Sequence, residues 1–129
     1  MSTLKADTIQ NTSGGAATLT KQHAAKAWNR FTGSSVPTLL DSFNNSTATD
    51  NGTGDYTFAF TNSMSNANYA ADCGGGRNPA LAGTDARIQN PDQMTTSNYV
   101  FNNSYLDANA HTAYIDAGIG LSTVHGDLA

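Results

Sequence analysis

The stretch DYTFAF, Asp55 to Phe60, sets Tyr56, Phe58 and Phe60 in strict alternation with Thr57 and Ala59. Successive side chains of a strand point to opposite faces, so this spacing sends all three rings to one side. A helix would scatter them around its axis. The stretch reads as a half-buried β-strand, and any fold must give its aromatic face an apolar layer to rest on. Burial of each ring contributes about 2 kcal/mol. Just upstream, DNGTGD places Asn51-Gly52 and Gly54-Asp55 where a hairpin turn is expected.

Composition points the same way. Only 12% of the 129 residues are charged, all ten acids are Asp, and Asn, Ser and Thr abound. Glu, Lys and Arg serve solvated helix surfaces, whereas Thr, Ser and Asn serve strands, turns and loops. The expected fold is therefore mainly β: one small antiparallel β-sandwich or knob with a modest core. A net charge of -4 lacks the basic patch that non-specific nucleic-acid binding needs. No apolar run is long enough to insert in a bilayer. The stretch MSTLKADTIQNTSGG has no apolar leader core, so synthesis in a cytoplasm without Sec-type export is expected.

Along the chain, three zones emerge. Residues 1–33 read as an extended N-terminal arm followed by a first strand. Leu19, His23, Ala27 and Phe31 also fit a helical spacing, so residues 17–27 stay open between helix and strand. Ala27, Asn29 and Phe31 alternate against Trp28 and Arg30, which favours a strand there. Residues 34–129 form the knob. Within it, VPTLLDSFNNS has no clear register, because Leu40 and Phe43 are out of phase. NANYAAD suggests a strand around Tyr69, and NYVFNNSY alternates Tyr99 and Phe101 against Val100. Residues 73–97, rich in Gly, Pro, Asn and Asp, read as one long loop. At the C-terminus, Ile115, Ala117, Ile119 and Leu121 are expected on one face, with Asp116, Gly118 and Gly120 on the other. Small residues there suggest close approach of another backbone or chain. The aromatic rows are expected to close an apolar centre between chains.

No motif for catalysis stands out. His23, His111 and His125 are scattered without zinc-ligand spacing, so neither a metal nor a cofactor is expected. CGGGRN lacks the Lys-Ser/Thr of a phosphate loop, and no G-x-S-x-G elbow occurs. Asp41, Asp50 and Asp55 surround the hairpin, where Asp is an ordinary turn residue. Cys73, the single cysteine, cannot pair within the chain and reads as a small, partly buried residue.

Taken in order, STLKADTIQNTSGGAA, AAKAWNRF, DSFNNSTATDNGTGDYTFAFTNSMSNANYA and LSTVHGDLA resemble segments of virion proteins of tailed bacteriophages. The likeness is to tail-fibre and related fibre-type structural proteins of marine and cyanobacterial phages. It spans most of the chain except residues 73–97. The resemblance implies a non-enzymatic homotrimer in which the arm attaches to other virion proteins and the β-rich knob faces outward for host attachment. No extended shaft is present. A capsid decoration protein or head fibre, and a sugar-binding adhesin module, are the alternative readings. Recognition is carried by loops on a rigid scaffold. Arg77, Asn78, Arg87, Gln89 and Asn90, on the expected long loop, are thus the candidate contacts to a host-surface glycan.

Overall fold

A computed structural model describes residues 10, 12–13, 24–33, 36–76, 87–106 and 112–129. The described residues contain strands and no helix: β1 Ala27–Thr32, β2 Thr38–Phe43, β3 Asn45–Gly52, β4 Asp55–Phe60, β5 Ala70–Gly76, β6 Arg87–Asp92, β7 Asn98–Leu106, β8 Thr112–Tyr114 and β9 Ile119–His125. They form two antiparallel sheets packed face to face. Sheet I has the order β2-β1-β9-β5, and sheet II has the order β3-β4-β7-β6, with β8 paired to β7. The fold is a small antiparallel β-sandwich. The open choice over residues 17–27 ends at Ala27, where β1 begins; residues 14–23 lie outside the described residues. Alternation prevails in β1 because Ala27, Asn29 and Phe31 all turn into the core. β1 sits between β2 and β9, so the first strand is an integral part of the sandwich.

The aromatic alternation forms the core within one chain. Tyr56, Phe58 and Phe60 from β4 and Tyr99 and Phe101 from β7 line the inner face of sheet II. Phe31 comes down from sheet I among them, with ring centroids 5.2 Å from Tyr56, 4.7 Å from Phe58 and 5.4 Å from Phe101. Edge-to-face packing of this kind sets the positive rim of one ring against the negative face of another. The single chain buries these rings almost completely. The expectation of an aromatic centre closed between chains is thereby corrected: two facing sheets already supply both walls.

One bent strand joins the sheets. β2 runs into β3 through Asn44, whose φ of 56° is a left-handed conformation that Asn tolerates better than most residues. The Asn44 side chain then fastens the corner. Its Nδ2 donates to the carbonyls of Lys26 at 3.1 Å and Asn62 at 3.0 Å, and its Oδ1 accepts from the Asn62 backbone N–H at 2.7 Å. A bulge between Arg30 and Phe31 in the β1–β2 pairing explains the phase of VPTLLDSF. Leu40 and Asp41 both face outward there, while Leu39 packs against the core.

The β3–β4 hairpin falls where the turn residues place it, with Gly54 at φ 70°. Gly54 is also an anchor between elements. Its N–H donates to Asp116 Oδ1 at 2.9 Å, and its carbonyl accepts from Asn103 N–H at 2.8 Å. A Cβ at this position would press on the Asn103 carbonyl and lie 2.8 Å from the Ile115 backbone nitrogen. Backbone cannot swing aside as a side chain can. Gly54→Ala is therefore expected to lower unfolding free energy by about 2–3 kcal/mol, read from the shift in urea midpoint. A neutral result would sink this account of the turn.

One expectation changes with the structure and another is completed by it. Residues 73–97 are not one loop: Cys73–Gly76 complete β5, paired along β9, and Arg87–Asp92 form β6, paired along β7. Glycine-rich and Pro-bearing segments carry little β preference of their own. Pairing with a neighbour imposes extended structure, and β6 tolerates Pro91 because it is an edge strand. On β9 the two faces alternate as expected, and the structure decides which of them enters the core. Gly120, Ser122 and Val124 turn inward, and Ile119 and Leu121 turn outward. Inward space decides this, since even one carbon added at Gly120 would collide with the Phe31 ring. The close approach foreseen at Gly120 is thus to an aromatic ring of the same chain.

Candidate functional site

Of the residues expected to meet a glycan, Arg77 and Asn78 lie outside the described residues. Arg87, Gln89 and Asn90 lie on β6 rather than on a loop, in register with Tyr105, Asn103 and Asn102. Asn90 is exposed on the outer face of sheet II. Beside it, Asn102 Nδ2 donates to Asp92 Oδ2 at 3.4 Å. Sheet pairing therefore brings Asn90, Asp92 and Asn102 together as a polar group. That face continues across the sheet through the exposed Thr47 and Thr49 and the half-buried Thr57.

The outer face of sheet I is different in kind. Leu40 and Phe43 from β2 and Ile119 and Leu121 from β9 are exposed by 46%, 51%, 37% and 50%. Cross-strand register places Trp28 beside Phe43, and Arg30 between Asp41 and Leu121. On the far side Leu121 is opposite Gly74, and Thr123 is opposite Asp72. A side chain at Gly74 would meet the Leu121 side chain at 2.9 Å, so Leu121 leans over ground that a larger residue would occupy. The result is an apolar surface with one cation near its middle and an acid towards each edge. Isolated exposed apolar residues are ordinary, but four of them on one sheet face, carried by β2 and β9 on either side of β1, suit an interaction surface. No local sequence signal announced this face. The β9 register and the β2 bulge create it.

Between the sheets, the aromatic core gives way to a polar cluster. Asn29 Nδ2 donates to Tyr99 Oη at 3.0 Å and to Asn45 Oδ1 at 3.3 Å, and Tyr99 Oη also bonds Ser122 Oγ. Among the described residues, no hydrogen-bond partner meets buried Asn29 Oδ1 or Asn45 Nδ2. At the opposite end, Tyr56 Oη has its one hydrogen between two acceptors, the Gly33 carbonyl at 2.6 Å and Asp116 Oδ1 at 3.1 Å, and accepts from Ala117 N–H at 3.1 Å. Burial raises the Tyr56 and Tyr99 phenols well above their ordinary value. These hydroxyls stay neutral and tie strands together.

Cys73 is half-buried against the core. Burial, with the Asp72 carboxylate adding to it, pushes its thiol up to about 12. A reactive cysteine needs the opposite, a cationic setting that favours thiolate. The three Asp residues near the hairpin serve local structure. Asp41 Oδ1 accepts from Ser42 N–H at 2.9 Å, Asp50 Oδ1 from Gly52 N–H at 2.9 Å, and Asp55 Oδ1 from Asn51 Nδ2 at 3.1 Å. His125 is exposed on β9, while His23 and His111 lie outside the described residues. Among the described residues, no group of three or more His, Cys, Asp or Glu is placed to hold a metal ion. No helix among them is long and apolar enough to cross a membrane.

No family model, curated protein or solved structure matches this chain. What the arrangement can do must therefore be argued from its two faces.

Proposed function

We propose that this chain is a non-enzymatic structural protein of a tailed-bacteriophage virion, acting as a short homotrimeric tail fibre in host attachment. The observation that carries this reading is the contrast between the two outer faces. A core already closed within one chain leaves the exposed apolar side chains of sheet I with no role in folding, which suits assembly. Sheet II presents Thr, Asn and Asp outward, chemistry that suits solvent and hydroxyl-rich ligands such as a host-surface glycan. The order of the arm, Trp-bearing, hairpin and C-terminal segments, which resembles phage fibre-type proteins, supports the virion assignment. In this reading the N-terminal arm docks to other virion proteins, and the polar group at Asn90 replaces a loop as the described part of the outward surface.

Immunogold labelling of intact phage particles that carry this chain, with antibody raised against the full chain, tests the reading. Label at the tail is the expected result. Label confined to heads would replace the fibre by a capsid decoration protein or head fibre. Protein present in lysates but absent from purified particles would rule out the virion role and leave the adhesin module.

A further inference from the structure

We infer that the outer face of sheet I is the contact between copies of this chain, and that the occupant of each face is the same face of its neighbours. The inference rests on the assembly reading above and gives it a location. Three features of the face point to a second copy. First, its exposed residues are largely aliphatic, Leu40, Ile119 and Leu121, with Phe43 beside Trp28. Apolar side chains with aromatic rings and an Arg among them are the composition of the desolvated centre of a protein interface.

Second, the face carries charges of both signs at separate places. Arg30 stands on β1, with Asp41 opposite it on β2, while Asp72 lies two strands away on β5. Neighbouring strands are about 4.8 Å apart, so Asp72 is roughly 10 Å from the Arg30 row. A neighbour related by a three-fold axis beside the face brings its Arg30 over Asp72, while its own Asp72 meets the Arg30 of the third copy. The chain as a whole carries -4, so contact between two arbitrary faces sets acid against acid. Here Arg30 gives an acid of the neighbouring copy a cation to meet, which offsets part of that repulsion.

Third, the β5 side of the face is low. Gly74 and Gly76 sit opposite Leu121 and Ile119, so no side chain from those two positions rises between the apolar row and an approaching backbone.

The test is light scattering with size exclusion on the full chain. Wild type is expected to run as three copies of the 13.4 kDa chain. Leu121→Glu buries no charge in the core, so circular dichroism is expected to match wild type. Its association should weaken by at least about tenfold. Thr49→Glu, on the opposite sheet, should assemble as wild type does. Arg30→Asp and Asp72→Arg should each weaken assembly, and the double exchange should restore it. This swap keeps the proposal open to refutation even where Leu121→Glu misfolds. A trimer untouched by Leu121→Glu and by both single exchanges overturns the assignment of the face while leaving the virion role standing. A wild type that stays a single chain at tens of micromolar overturns the self-association itself, whereas particle labelling decides the virion role separately.

Discussion

Between about pH 10 and pH 12 this protein is expected to lose several kcal/mol of stability and unfold. Three buried phenols drive the loss. Burial pushes Tyr69 up to about 12. Burial likewise raises Tyr56 and Tyr99, held in their networks with Asp116 and Ser122. Cys73 adds to the effect, its thiol pushed up to about 12 by burial and by Asp72.

The sign follows from proton counting. An unfolded phenol loses its proton near pH 10, while the native one keeps it. The unfolded state then binds fewer protons, and unfolding free energy falls as pH rises. Stability from these groups is complete below about pH 9 and drains as pH climbs towards their folded values. Each phenol costs about 1.4 kcal/mol per pH unit in that window, so three together cost about 4 kcal/mol per unit. A small domain has only about 5–15 kcal/mol to lose. Urea midpoints measured at about pH 8, 10 and 11 should fall steeply over the last step, and Tyr69→Phe should make the slope shallower by about 1.4 kcal/mol per unit. A midpoint that holds constant through pH 11 would show that these hydroxyls are not sealed from water.

The costliest single truncation is expected at Phe31. Among the described residues it is the one large ring that the strands of sheet I turn into the core, and it touches Tyr56, Phe58 and Phe101 at once. Removing it withdraws sheet I's share of the aromatic cluster and leaves a void walled by rigid strands on both sides. Phe31→Ala should cost about 3–5 kcal/mol, because relaxation fills such a space only in part. Gly120 lies under the same ring, so Gly120→Ala should also destabilise, by crowding the ring instead of undermining it. Phe43→Ala, half exposed on the outer face, serves as the contrast and should change the stability of a single chain by less than about 1 kcal/mol. A Phe31→Ala variant that melts within a few degrees of wild type would place the core elsewhere.

How much of this was legible beforehand depended on whether a segment carries its own pattern. β4 and β7 did, since Tyr56, Phe58 and Phe60 and then Tyr99 and Phe101 repeat with the period of a strand. The hairpin did as well, through Gly52 and Gly54. β5 and β6 did not. Their residues, ADCGGG and RIQNPD, have no strong preference for extended structure, and only hydrogen bonding to β9 and β7 makes them strands. This is why Arg87, Gln89 and Asn90 were expected on a loop. The outer face of sheet I was hidden for a further reason. β9 alternates two sets that could each face inward, Ile119 with Leu121, or Gly120 with Ser122 and Val124. Hydrophobicity alone favours the wrong one.

The amino-acid order thus determined that the chain is a β-protein, where its aromatic rows lie and where its tight turn falls, because those features depend on neighbours one to four residues apart. Which side of β9 enters the core, that the rings close within one chain, and that Leu40, Phe43, Ile119 and Leu121 share an exposed surface were decided in three dimensions. The reason is the finite space between two sheets. Once Phe31 occupies it, only glycine fits opposite, and the larger side chains on either side of Gly120 are turned out to the surface.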